Sequence, residues 1–216
     1  MQIAVWSDIA CPFCYIGKRH LEKALSELSF GPEIEVEYHA YMLNKDYQNP
    51  NEEDIFNYLS REKQLSREQV HQMTTQVKTY AAAAGLDINF DINIPANTFQ
   101  AHRLIALANQ FSLQASMKER LFKAHFEEGL NIAKKDVLRS LALEVGITAE
   151  SLNEFFEDDR FKSEVTQDLY QAQLMGISGV PFFLLNQKYA ISGAQPIEAF
   201  KQAISAAYEE WQAESR

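Results

Sequence analysis

Cysteine is nearly missing from this chain: 216 residues hold two. That excludes a small disulfide-stapled scaffold and a multi-cysteine zinc module, since each needs several. Histidine does not make up the shortfall. His20, His39, His71, His102 and His125 are scattered without paired metal-ligand spacing, so no metal site is expected. Basic residues are outnumbered, with 20 Lys and Arg against 30 Asp and Glu, for a formal charge of −10. Such a surface repels phosphate backbones, and no nucleic-acid partner is expected. No apolar run approaches the roughly 20 residues of a membrane span, so no membrane partner is expected either. The first residues lack the basic, apolar and small-residue succession of a secretory leader. The expectation is therefore a cytoplasmic protein, in a compartment that keeps thiols reduced. Repeats and low-complexity stretches are absent as well. What remains is 46% hydrophobic and 23% charged, an ordinary globular balance, long enough for one large domain or one domain carrying another.

The two cysteines stand together in Ala10-Cys11-Pro12-Phe13-Cys14-Tyr15. Upstream, Ile3-Ala4-Val5-Trp6 reads as a short buried strand; downstream, residues 16–28 read as a helix. Pro12 suits the first helical position, where its fixed φ fits and its missing N–H has no partner to lose. Cys11 then becomes the cap residue, beside unpaired N–H groups and the positive end of the helix dipole. That place favours a thiolate, the nucleophilic form. Cys14 falls on the apolar stripe Cys14, Gly17, Leu21, Ala24/Leu25, Leu28. The expectation is an exposed Cys11 sulfur and a covered Cys14, close enough across one turn to join as a disulfide. Half a zinc site lacks its other ligands, and two unrelated core cysteines would not need the strand–proline–helix setting. The reading is a dithiol that cycles with its disulfide, with no cofactor.

Ser29-Phe30-Gly31-Pro32 is a turn. Residues 33–41 then alternate, with Ile34, Val36 and Tyr38 on one side, as in a half-buried strand. Strand, helix and strand make a right-handed βαβ unit. From Asn49-Pro50-Asn51 onward, helical stretches take over at about 52–62, 66–84, 98–114, 116–129, 135–145, 148–157 and 159–175. Ser66 with Gln69 reads as a capping box, Gly85 as a stop, and Asn97 or Thr98 as the next cap. The stretch 98–114 is apolar nearly all round, the mark of the buried centre of a helical domain. Strands return at 179–185, with Pro181 near the start. Asn186-Gln187 turns the chain, residues 188–191 pair back, and Ser192–Pro196 leads into a last helix.

Four pieces together resemble the thioredoxin superfamily, in its DsbA-like branch and, within that, the FrnE-like group. They are Val5-Trp6-Ser7-Asp8, Cys11-Pro12-Phe13-Cys14-Tyr15-Ile16-Gly17, Asn97-Thr98 with Ala101-His102-Arg103, and Gly179-Val180-Pro181-Phe182-Phe183. The resemblance covers essentially the whole chain. It implies an α/β thioredoxin fold, a central mixed sheet flanked by helices, carried on residues 1–45 and 170–216. An all-helical domain of residues 46–169 is inserted in it. It also implies a thiol-disulfide oxidoreductase acting on protein or small-molecule disulfides, Cys11 attacking and Cys14 resolving, with a cis proline at Pro181. Phe13, Val180, Tyr15, Phe182 and His102 are the candidate substrate-binding residues. The pattern departs from the branch at Phe13, where strongly oxidising members carry His, and at Val5, where thioredoxins carry a buried Asp. It also lacks the leader of periplasmic members. The alternative is a glutathione-dependent enzyme of the 2-hydroxychromene-2-carboxylate isomerase or kappa transferase type, acting on small aromatic or polyketide substrates. Those relatives carry Ser for the first cysteine, so Cys11 argues against that class; glutathione stays a candidate partner.

Other residues have two readings each. Asp8, three before Cys11, is either a proton relay or a turn residue bonding its own backbone. For His102 and Arg103, a satisfied buried histidine and an interdomain salt link are favoured over substrate contact. Ser192-Gly193 at a helix start could hold a carboxylate, though a plain turn is favoured.

Overall fold

A computed structural model describes residues 1–49, 53–157 and 159–214. The apolar run at the N-terminus forms β1 (Gln2–Ser7) at the middle of a four-stranded sheet of order β2-β1-β3-β4. The chain leaves β1 through α1 (Pro12–Glu27) and returns as β2 (Glu35–Ala40), parallel to β1 in register Ile3↔Val36. β3 (Phe182–Leu185) lies antiparallel on the other side of β1, and β4 (Tyr189–Ser192) pairs antiparallel with β3. The sheet is thus mixed. α9 (Ile197–Glu214) follows β4.

Between β2 and β3 the described chain is helical: α2 (Ile55–Lys63), α3 (Arg67–Ala83), α4 (Phe99–Asn109), α5 (Gln114–Phe126), α6 (Lys135–Val145), α7 (Ala149–Glu157) and α8 (Lys162–Leu174). The Ser66–Gln69 capping box forms with both of its hydrogen bonds. Thr98 occupies the cap position of α4, but the cap bond comes from Asn97, whose Oδ1 accepts from the Phe99 N–H at 3.0 Å. The expected long helix over 98–114 is shorter. Ser112 turns left-handed at φ 58°, and the chain restarts as α5. β2 begins later than expected, because Gly31–Glu33 takes a single 3-10 turn. β3 begins after Pro181, so the missing proline N–H falls outside the ladder. Lys188 closes the hairpin turn onto the Leu185 carbonyl, and the pairing strand starts at Tyr189. The expected boundary at Asn49-Pro50-Asn51 and the start at Glu52 fall largely outside the described residues.

Two large hydrophobic cores result, beside a small cluster of Trp6, Ala172 and Ile177. One lies between the sheet and the pair α1 and α9, with Ile3, Val5, Leu21, Phe183, Phe200 and Ile204 at its centre. The other fills the helical part around α4, whose Ala101, Leu104, Ile105, Leu107 and Ala108 are all buried. α1 belongs to both. Cys14, Tyr15 and Ile16 pack into the helical core, and Leu21 and Ala24 one turn later pack into the sheet core. A polar clamp ties the outer face of α1 to α5. The buried Lys18 ammonium lies 2.6 Å from Glu119, the Arg19 guanidinium 2.5 Å from it, and the Tyr15 hydroxyl donates to it at 3.0 Å. Burial works against the Glu119 charge, but Lys18 and Arg19 outweigh it and hold the carboxyl below its ordinary range. Glu119→Gln should therefore destabilise the fold by about 1–2 kcal/mol, because Lys18 and Arg19 lose their shared carboxylate and keep Glu22 as their charged partner. Urea unfolding at neutral pH checks this; an unchanged midpoint would mean the clamp contributes nothing.

Candidate active site

Cys11 caps α1 from an extended conformation, φ −98° and ψ 111°, with Pro12 opening the helix. Its N–H donates to the Asp8 carbonyl at 3.2 Å, and its own carbonyl accepts from the Cys14 N–H at 3.0 Å. Both cysteines are free thiols. The Cys11 thiol donates to the Val180 carbonyl, with Sγ 3.6 Å from the oxygen. The Val180–Pro181 peptide is cis. Pro181 sits against Gly17: a Cβ there would come within 2.9 Å of Pro181 Cγ and 3.2 Å of Phe183 Cζ. Glycine at this point of α1 lets the proline loop close on the cysteine turn.

The expected exposed Cys11 is not found. Its relative exposure is 6%, against 2% for Cys14. The helical core and the Val180–Pro181 loop cover a position that local helix geometry alone would leave open. The asymmetry survives in another form, because Cys11 borders a cavity and Cys14 does not. Burial pushes the Cys14 thiol well above its ordinary range. The hydrogen bond to Cys11 and the charge there add to this, while the Lys118 charge opposes it.

Beneath the pair lies an ionisable group of three. Asp8, 1% exposed, serves the local turn by accepting from the Ala10 N–H at 3.3 Å. It also accepts from the Leu43 N–H at 2.7 Å and lies 3.4 Å from His102 Nε2. Burial disfavours its charge, yet His102 and the Leu43 N–H hold the carboxyl below its ordinary range. His102 is itself 3% exposed, with Nε2 3.4 Å from Asp8, and it also lines a separate cavity beside α8. Arg103 donates to Gln100 and to the Phe155 carbonyl. The third member, Lys118 on α5, was not singled out in the sequence. It is 1% exposed, with its ammonium 5.1 Å from the Tyr38 ring centroid and 5.7 Å from that of Phe122. Burial brings its pKa down to about 8, against the pull of Cys14 and Asp8. The available signal was its spacing: Leu121, Phe122 and His125 follow at three, four and seven residues, all buried.

The other expected site residues separate. Phe13 is exposed at the mouth of a cavity of about 550 Å³ that reaches Cys11. Tyr15 points the opposite way, 1% exposed and stacked on Phe122 with ring centroids 4.8 Å apart. Val180 and Phe182 are half-buried beside Trp6 and Ile177. Gly193 donates its N–H to the Pro181 carbonyl at 2.8 Å, continuing the β3–β4 pairing, and Ser192 ends β4, so Ser192-Gly193 lies four residues or more before α9 opens at Ile197. No group of three or more metal-ligating side chains occurs among the described residues, and no helix there is long and apolar enough to cross a membrane.

The DSBA-like thioredoxin domain family matches residues 2–205. The uncharacterised protein YwbO of Bacillus subtilis is 29% identical over 208 residues, covering 95% of this chain and 96% of that protein. A probable DsbA oxidoreductase from Streptomyces coelicolor superposes with a TM-score of 0.92 at 31% identity, covering 97% of this chain and 91% of that one. The cytosolic disulfide reductase DsbM of Pseudomonas aeruginosa, solved with GSH, shares the fold at a TM-score of 0.70 and 16% identity, covering 97% and 100%.

Two substitutions probe this arrangement. Gly17→Ala should move Pro181 away from the cysteine turn and slow thiol exchange, with far-UV circular dichroism unchanged. Wild-type exchange rates in that variant would show the close approach is dispensable. Lys118→Met should stabilise the reduced protein at pH 7 by up to about 3 kcal/mol, the difference between a pKa of about 8 and the ordinary 10.5. The sign follows from linkage. The folded chain releases this proton near pH 8 while the unfolded chain keeps it to about 10.5, so wild-type stability rises across that window and the variant's advantage shrinks. Urea midpoints at pH 7 and pH 10 read it; an equal advantage at both would contradict the burial argument.

Proposed function

The chain belongs to the DSBA-like thioredoxin domain family, and from that premise we propose that it is a thiol-disulfide oxidoreductase with Cys11 attacking and Cys14 resolving. The observation that carries this reading is the placing of the two free thiols one helical turn apart, against Gly17, Pro181 and the Val180 carbonyl. A Cys11 thiolate attacks one sulfur of a disulfide, forming a mixed disulfide and expelling a thiolate that takes up a proton. Cys14 then attacks the Cys11 sulfur, releasing the second thiol and closing the Cys11–Cys14 disulfide.

The electrostatics give the two steps their order. In the reduced protein burial keeps Cys14 protonated, and once Cys11 is a thiolate its charge and the hydrogen bond it accepts from Cys14 add to this. Once Cys11 is held in a mixed disulfide, its charge and its stabilising bond are gone. Burial is then opposed by the nearby Lys118 ammonium, and Cys14 can deprotonate and resolve. The first step releases the second. In this proposal Lys118 is a positioning charge that favours the Cys14 thiolate, whose proton leaves with the departing thiol, and it does not take the proton-accepting part of the strand carboxylate absent at Val5. Pro181 and Val180 hold the attacking sulfur, and Phe13 meets the substrate.

A division into a thioredoxin-fold part of residues 1–45 and 170–216 and a helical part of 46–169 belongs to the same proposal, with the helical part covering one side of the site. A reducing cytoplasm would keep the resting protein as the dithiol, so the direction proposed is reduction or isomerisation. Glutathione, present with DsbM, is proposed only as a reductant of the closed Cys11–Cys14 disulfide and not as the ligand of the cavity beside Cys11. Cys11 in place of Ser disfavours the isomerase and transferase class.

Cys11→Ser should abolish reduction of insulin disulfides, and Cys14→Ser should attack once and stall as a mixed disulfide visible by mass spectrometry. Trapping through Cys14 in the Cys11→Ser protein would reverse the roles.

A further inference from the structure

A cavity beside Cys11 reaches inward from the exposed Phe13 ring. It measures about 550 Å³, inside the range of pockets that bury small organic ligands. Its walls are mostly apolar, with Ile55 and Leu59 from α2, Met73 and Val77 from α3, and Phe90 and Phe126, and with Asn44, Thr74, Asn93 and Thr98 as uncharged polar groups among them. Phe13 and Tyr80, 39% and 50% exposed with ring centroids 6.5 Å apart, flank the entrance. Cys11 is 6% exposed and lies in the wall, so the reacting sulfur must arrive on something slender enough to enter.

Charge narrows the ligand further. Lys63 is the one lysine or arginine among the described lining residues, and it sits exposed beside the exposed Glu62. His125, on the inner wall, is neutral at physiological pH because burial brings its pKa down to about 4. Asp8, also lining, is held as a carboxylate. A ligand bearing several carboxylates, as glutathione disulfide does, would meet an anion and no buried cation. We propose that the cavity is the binding site for a small, uncharged disulfide with an apolar, aromatic-sized body, and that this class of molecule is the preferred substrate of Cys11. The proposal deepens the dithiol reading above and rests on it for chemistry. One turnover balances: two protein thiols become the Cys11–Cys14 disulfide, the substrate S–S bond breaks, and two small thiols leave with the two protons.

The test uses 2,2′-dipyridyl disulfide, neutral and aromatic, against glutathione disulfide. Each single-turnover rate of the reduced protein is divided by the rate of dithiothreitol with the same disulfide, which removes intrinsic leaving-group reactivity. The normalised rate should favour the dipyridyl compound by about 10-fold or more. Met73→Glu should erase most of that preference; Tyr80→Glu, at the exposed mouth, serves if the first variant does not fold. Binding is read separately in the Cys11→Ser/Cys14→Ser protein with the neutral fluorophore N-phenyl-1-naphthylamine. The fluorophore should brighten, be displaced by the dipyridyl disulfide, and fail to brighten when Met73→Glu is added. Equal normalised rates, or a folded Met73→Glu that changes neither rate nor fluorescence, would overturn the proposal. Fluorophore binding and displacement without any exchange by the wild type would support the cavity's ligand class and overturn the dithiol reading instead.

Discussion

Helix α1 is gripped by two different hydrophobic cores, one at its start and the other from Leu21 onward, and the site depends on that grip. Tyr15 and Ile16 are locked into the helical core while Leu21 and Ala24 lock into the sheet core. The turn between them, at Gly17, faces Pro181, which a Cβ there would meet at 2.9 Å. The cysteine turn therefore has little freedom to shift without disturbing both cores. The Lys18, Arg19 and Tyr15 contacts to Glu119 fasten the remaining outer face. A helix start fixed on all sides holds Cys11 against the Val180 carbonyl and Cys14 against the charges beneath.

Those charges make the site asymmetric. A thiol as buried as Cys14 gives up its proton reluctantly, and only the Lys118 ammonium and neighbouring backbone offset burial. Lys118 is costly to bury and lowers the stability of the resting fold at neutral pH. Asp8 and His102 add a hydrogen-bonded pair on the same side. Such strongly perturbed groups concentrate where chemistry is done, and here they concentrate within reach of one thiol.

What the sequence made legible was local. Pro12 and the cysteine spacing located the helix start, because proline restricts both φ and hydrogen bonding there. Ser66 and Gln69 marked α3, and the all-round apolar pattern of residues 99–111 marked the buried α4. The mixed sheet followed from one parallel crossover and one hairpin. Boundaries failed where no special residue announced them: Ser112 takes a left-handed φ that glycine would have advertised. Burial of Cys11 was invisible because the covering groups come from 169 residues away and from other helices. Lys118 was missed because a lysine on a helix reads as solvent-facing by default. The cavity is lined from α1, α2, α3 and the loops before α2 and α4, a tertiary arrangement that no local pattern encodes.

The central claim is that reaction at Cys11 releases Cys14. Its most direct test is a carbon-13 NMR titration of the Cys14 β-carbon in the reduced protein and in protein whose Cys11 is S-methylated. With the Cys11 charge and hydrogen bond removed, the Cys14 midpoint should fall. A midpoint that stays in place or rises after methylation would contradict the account.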